Sequence, residues 1–386
     1  MRLDENLARE LRGARLGLLS HAASCDAAGR HISDAIAENC PGRLRAILSP
    51  QHGFWGEQQA NMVESAHDVH PRLNIPIYSL YSTTRTPDAE MLSRFDVLLV
   101  DLQDVGTRVY TFVWTLQNCL KACAGQNIEV IILDRPNPLG GTACEGAVLD
   151  SAYRSFVGDA SIPMRHGLTL GEISSWLNQS HAIGANLRVI PIPGWRRGMT
   201  FEETGLPWIP PSPNMPTINS AVVYPGQVLL EGTNLSEGRG TTTPFEVVGA
   251  PFIDAFQLAD RLSEQELPGV QFRPHRFRPT FDKWAGESCG GVAIQVTDRT
   301  SFQPYRTTLT ILSTIRKSSP DHFEWLPPPY EYEDTLMPID ILSGDSRLRE
   351  WLDKQGELND AQFESLCHEG VAAWQKHAQP YWLYDV

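Results

Sequence analysis

Two acids three residues apart, Asp101 and Asp104, are followed closely by Arg108 and Tyr110 in the stretch RFDVLLVDLQDVGTRVYTF, Arg94–Phe112. Carboxylates, a guanidinium and a phenol are the groups that donate protons, stabilise a developing cation and hold a polar substrate. A second cluster, Pro50-Gln51-His52-Gly53-Phe54-Trp55-Gly56-Glu57, places an amide, an imidazole, two aromatic rings and an acid in a glycine-bracketed loop. A third, Leu229–Pro244 (LLEGTNLSEGRGTTTP), sets Glu231, Asn234, Ser236, Glu237, Arg239 and Thr241 among glycines, the composition of a binding loop more than of a spacer. Each cluster also has an ordinary structural use. One Asp could cap a helix and pair with Arg108, Phe54 and Trp55 could simply be buried, and Glu172 completes a capping box with Thr169.

The elements that would position these groups alternate. Residues 1–12 form an amphipathic helix with Leu3, Leu7 and Leu11 on one stripe. Strands are expected at Arg15–Ser20, Leu44–Ser49, Ile75–Leu80, 97–101, Glu129–Leu133 and Leu187–Ile192, with helices at Ser33–Asn39, Asp88–Ser93, Phe112–Ala124 and from Thr169. The apolar run Val97–Val100 is short and β-branched, as in strands buried on both faces. Strand–helix alternation at this spacing predicts an α/β fold, a Rossmann-like doubly wound and mostly parallel sheet. Ligands of such sheets bind outside the carboxyl ends of the strands, where Asp101 and Asp104 fall. The pattern changes around residues 146–159. We therefore expect an N-terminal catalytic domain over 1–150 and a smaller α/β domain over 151–386 that closes a cleft. Five prolines in 207–219 (PWIPPSPNMPTIN) exclude a helix or an inner strand there and suggest a cleft wall. Alternation resumes later, with Gly290–Val296 and Thr307–Leu312 bracketing Asp298-Arg299, then helices at Asp345–Lys354 and from about Asp360 to His377.

Composition narrows the chemistry. The 386 residues are 41% hydrophobic, ample for a core, and carry a formal charge of −14 from 32 basic and 46 acidic residues. With no basic stripe, nucleic acid is not an expected partner. No run reaches the roughly 20 apolar residues of a membrane span. Seven scattered cysteines without a C-x-x-C suggest reduced thiols, and the cytoplasm is the default compartment. No G-x-G-x-x-G opens a helix after the first strand, and no G-x-S-x-G elbow occurs, so neither a dinucleotide site nor a serine-hydrolase triad is supported. His67-Asp68-x-His70 is the nearest approach to a metal motif and lacks a framing element. Strand-end carboxylates facing an aromatic-rich second half fit a carbohydrate site. Glycoside hydrolysis needs an acid at the leaving oxygen, with a second anion or the sugar's own acetamido group at the cationic centre.

The stretches SPQHGFWGEQQ, VDLQDVGTRVYTF, ILDRPNPLGG, EGAVLD, PMRHGLTLGE, PPSPNMP, LLEGTNLSEGRGTTTPFEVVGAP, GGVAIQVTDRTSFQPYRT and PPYEYE with PIDILSG resemble the exo-β-N-acetylmuramidase family of NamZ type. They cover nearly the whole chain. The resemblance implies a Rossmann-like N-terminal domain, a smaller α/β C-terminal domain and an active site between them. It implies removal of a terminal β-linked N-acetylmuramic acid from the non-reducing end of peptidoglycan fragments, that is, an amino-sugar or muropeptide substrate, with no metal or organic cofactor. One departure stands out. The family loop usually reads Pro-Glu-His-Gly, its Glu being the favoured catalytic acid, and this chain has Gln51 there. An amide cannot serve as a general acid at neutral pH. Glu57, Asp101 or Asp104 could take the role, the substrate could be another amino-sugar conjugate, or the protein could bind a muramic acid without cleaving it. On the hydrolase reading, His52 orients hydroxyls or a carboxylate. Arg108, Arg135 or Arg239 grips the lactyl carboxylate. Asn137, Asn214, Asn234, Glu231 and Glu237 bind hydroxyl and acetamide groups, and Phe54, Trp55 and Tyr110 form walls.

Overall fold

The computed structural model describes residues 5–59 and 62–386. Seven strands make one sheet: β1 (Leu16–Ser20), β2 (Leu44–Ser49), β3 (Asp68–Val69), β4 (Pro76–Ser79), β5 (Val97–Asp101), β6 (Glu129–Leu133) and β7 (Leu187–Ile190). Their order is β3-β4-β2-β1-β5-β6-β7, parallel throughout except for the short antiparallel edge β3. Taken in chain order, the six parallel strands lie 3-2-1-4-5-6, the doubly wound Rossmann-type arrangement, with the reversal between β1 and β5.

Successive side chains of the central strands go to opposite faces. Leu19, Leu98 and Val100 join one apolar layer with the helix Phe112–Ala124, while Leu18, Val97 and Leu99 join the other with the helices Glu5–Leu11 and Ile32–Asn39. Burial on both faces explains why these strands read as unbroken apolar runs rather than as alternating ones. The helix Leu170–Ser180 starts with the capping box read from Thr169 and Glu172. Of the N-terminal helix expected over 1–12, residues 1–4 lie outside the described residues.

The first apolar layer continues into the second half of the chain. There β8 (Val247–Ala250), β9 (Val270–Phe277) and β10 (Cys289–Val296) form an antiparallel sheet in the order β8-β10-β9. Pro274 makes β9 hard to read as a strand, yet β9 is an edge, where a missing N–H is tolerated. Thr307–Leu312 sits inside the helix Pro304–Ser318. The long final helix expected from Asp360 to His377 is two helices, Asp360–His368 and Val371–Ala378. Gly370 between them has φ 77, a left-handed turn that interrupts the helical hydrogen bonds. The large sheet takes its last strand, β7, from beyond residue 150, so a division there cuts across the sheet rather than between layers.

Candidate active site

The loops after β2, β4 and β5 rise from one edge of the parallel sheet, the edge where strand-end carbonyls and loops leave room for a ligand. Opposite them stand the proline-rich segment, the 229–245 loop and the 327–333 segment of the second half. A narrow cavity opens between the two sets. The first half contributes Gln51, His52 and Val109–Thr111, and the second contributes Ser212, Asn214, Tyr224, Glu231, Arg239, Phe245, Tyr330 and Glu331.

Six of the residues expected from sequence meet here: Gln51, His52, Tyr110, Asn214, Glu231 and Arg239. Gln51 accepts a hydrogen bond from Thr111 Oγ1 at 2.7 Å. His52 bonds the Gln58 carbonyl through Nδ1 at 2.7 Å, and burial pushes its pKa down to about 4, so the ring is neutral at pH 7. Asn214 donates to the Gln59 carbonyl at 2.7 Å, tying the proline-rich wall to the loop after β2. Arg239 donates to Glu231 at 2.7 Å and to Glu237 at 3.1 Å, its guanidinium facing the Phe245 ring at 5.1 Å. Glu237 lies behind it, paired also with Lys283 at 2.7 Å, and these cations hold its carboxyl below the usual range against the effect of burial.

The structure keeps the other expected residues out of the cavity wall. Asp101 ends β5 as read, but its carboxylate is buried in an ion pair with Arg135, which also donates to the Cys25 carbonyl at 2.8 Å. Arg108 is fully buried and donates to the carbonyls of Ala147, Ile162 and Leu342, stapling the loop after β5 to the helix Pro338–Ser343. Neither arginine lines this cavity. Asn137 bonds the Leu168 carbonyl and the Leu139 amide, and its side chain fills the space beside Gly106, where a Cβ would come within 2.3 Å of it. Gly106 also needs its φ of 72, so this turn excludes larger residues twice over. Asn234 pins His322 and Glu324. Phe54 is buried edge-on against His31, Trp55 and His70, Trp55 is half exposed, and Glu57 is exposed. His67 and His70 both accept bonds from backbone amides, which gives them structural employment.

Asp104 sits beside Tyr110, one step behind the wall. One oxygen accepts the Gly106 amide at 2.7 Å, and the other has no hydrogen-bond partner among the described residues. Burial pushes its pKa from 3.8 up to about 7. The folded chain thus holds a proton that the unfolded chain releases, and stability falls as pH rises from about 4 to 7. Asp104→Asn keeps the acceptor for Gly106 and removes the charge. Its melting temperature is expected to exceed the wild type's by at least about 2 °C at pH 8 and by a clearly smaller margin at pH 4.5. An equal shift at both pH values would remove charge from the explanation.

Among the described residues, the carboxylates on the cavity wall are Glu231 and Glu331. Glu331 was not singled out by sequence. It accepts a hydrogen bond from Tyr81 Oη, in the loop after β4, at 2.8 Å. Burial pushes its pKa up to about 7, while hydrogen bonds from Tyr81 and Gln51 pull the other way and the nearby Glu231 adds to the rise. Glu231 accepts the Tyr330 hydroxyl at 2.7 Å as well as Arg239. Three wall residues, His52, Phe245 and Glu331, have φ of 72, 65 and 44, and non-glycine residues held in that region cost energy that a surrounding scaffold must supply. The one sequence cue to Glu331 was the PPYEYE stretch, whose prolines and aromatics flagged the segment without distinguishing its acids.

Two family models match the chain, the N-terminal part of the exo-β-N-acetylmuramidase NamZ over residues 16–219 and its C-terminal part over 222–384. The peptidoglycan β-N-acetylmuramidase NamZ of Bacillus subtilis (strain 168) is 43% identical over 318 residues, which is 82% of this chain and 77% of that one. Two crystal structures of DUF1343 family proteins from Bacteroides fragilis share the fold. One has TM-score 0.88 and 32% identity, covering 99% of this chain and 97% of its own. The other has TM-score 0.75 and 27% identity, covering 98% and 96%. With both models matched along nearly its full length, the chain belongs to the exo-β-N-acetylmuramidase family of NamZ type.

Proposed function

We propose that the cavity is the site at which this glycoside hydrolase releases a terminal β-linked N-acetylmuramic acid from the non-reducing end of peptidoglycan fragments. The observation that carries the reading is one wall holding a carboxyl poised near neutrality, Glu331, beside an arginine, Arg239, and a neutral imidazole, His52. β-Glycoside cleavage requires a proton at the leaving oxygen and electron density at C1. Muramic acid differs from glucosamine by a lactyl carboxylate, and a guanidinium is suited to that group. Of the three arginines considered from sequence, Arg239 is the one on the wall, and it retains N–H groups beyond those given to Glu231 and Glu237. Neutral His52 and the amide of Asn214 can exchange hydrogen bonds with hydroxyl and acetamido groups. Tyr110, Tyr224 and Tyr330 supply apolar faces for the ring.

A non-catalytic muramic acid receptor is the second reading, favoured by the amide at Gln51. Aryl β-glycosides of N-acetylmuramic acid and N-acetylglucosamine separate the possibilities. The hydrolase reading expects turnover with a preference of about 10^2-fold or more for the muramide, the size of one charge-assisted contact. Binding of the muramide without turnover would establish the receptor, and preference for the glucosaminide would point to another amino sugar. A cytoplasmic setting is part of the proposal. In its support, all seven cysteines are free thiols. No helix among the described residues is long and apolar enough to cross a membrane.

A further inference from the structure

We infer that Glu331 is the general acid of this chain, with Gln51 and Tyr81 as its positioning residues. This rests on the glycosidase reading of the same cavity.

Gln51 and Glu331 are neighbours on one wall, and the Gln51 amide hydrogen-bonds the Glu331 carboxyl and orients it towards the cavity. The two come from opposite halves of the molecule. Glu331 reaches across to Tyr81, 250 residues earlier in the chain, which fixes Oε2 from the side of the sheet. The backbone at Glu331 and Tyr332 is left-handed at both residues, φ 44 and 68, a conformation that is kept only where the surroundings enforce it. Glu231, the other wall acid, has its oxygens committed to Arg239 and Tyr330. Glu331 is 2% exposed, and burial beside Glu231 keeps its carboxyl protonated up to about pH 7. Glu57, Asp101 and Asp104 have no place on the wall.

In the reaction the Glu331 proton moves to the glycosidic oxygen as the C1–O bond breaks, and the bonding pair leaves with that oxygen as the alcohol of the departing sugar. The acetamido carbonyl oxygen of the muramic acid closes on C1, giving an oxazolinium cation. Water then adds at C1, its proton returns to the Glu331 carboxylate, and the ring opens to free N-acetylmuramic acid.

Wild type and Glu331→Gln are compared on two substrates, a disaccharide with β-linked N-acetylmuramic acid at its non-reducing end and 4-nitrophenyl β-N-acetylmuramide. A sugar alcohol needs protonation to leave, whereas nitrophenolate does not. Glu331→Gln is expected to lower kcat/KM about 10^2–10^4-fold on the disaccharide and less than about tenfold on the aryl glycoside. Equal losses on both substrates, or full activity on the disaccharide, would overturn the assignment. A wild type inactive on both would instead sink the glycosidase reading itself. If Glu331→Gln fails to fold, Tyr81→Phe decides. Tyr81 holds the Glu331 pKa down, so its loss should move the alkaline limb of kcat/KM to higher pH, and an unmoved limb would exclude Glu331 as the acid.

Discussion

Arg239→Met is expected to abolish more than about 99% of kcat/KM on a muramyl disaccharide, a loss of the size seen when one preorganised electrostatic donor leaves an active site. The guanidinium lies on the cavity wall, joins Glu231 to Glu237 and packs over Phe245. On the proposed function the lactyl carboxylate then loses its partner, and two buried carboxylates lose their shared cation. Breaking a buried pair from one side costs about 3–5 kcal/mol, so the variant should also melt earlier. Lys283 still serves Glu237, which leaves Glu231 as the main source of that cost. Arg239→Met/Glu231→Gln should therefore recover much of the stability and none of the activity. Recovery of activity along with stability would reduce Arg239 to a structural role.

Arg197→Met should be the most destabilising single change at a distance from the cavity, by about 3–5 kcal/mol. The side chain is 1% exposed. It pairs with Glu172 at 2.6 Å, bonds the carbonyls of Gly141 and Gly167, and lies 4.2 Å from the Trp382 ring. Glu172 in turn caps its helix through the Thr169 amide and accepts the Leu383 amide at 2.9 Å. One guanidinium thus ties the loop after β6, the helix Leu170–Ser180 and the C-terminal segment. Methionine fills the volume and offers nothing to the carboxylate or the carbonyls. Urea unfolding measures the loss, and Arg197→Met/Glu172→Gln should return part of it by removing the stranded charge. An unchanged midpoint in the single variant would show that the network contributes no net stability.

The layer that carries the site was legible because its signals are local. Leu44–Ser49, Phe112–Ala124 and Glu129–Leu133 fall at the expected bounds, and Thr169 and Glu172 form the capping box. Strand ends could be placed for the same reason, so Gln51, His52 and Tyr110 were found in loops that face the cavity. What local signals cannot say is which strand-end acid turns inward. Asp101 is neutralised by an arginine 34 residues away, and nothing near either residue announces the pair. Arg108 looked like an anion binder, while its partners are carbonyls from three distant segments. The gap at Gln51 is most instructive. Its neighbour Glu331 arrives from the far end of the chain on a left-handed backbone, in a segment where prolines and tyrosines mask any periodicity. The helix Ile218–Gln227 was hidden similarly, by Pro225 within it and the prolines before it.

A crystal structure with N-acetylmuramic acid bound tests directly whether Glu331 serves as the acid. The anomeric oxygen is expected within hydrogen-bonding distance, about 3 Å, of the Glu331 carboxyl, with the lactyl carboxylate at Arg239 and the ring between His52 and the tyrosines. A sugar seated instead over the Asp101–Arg135 pair at the β1/β5 crest, with the cavity empty, would contradict it.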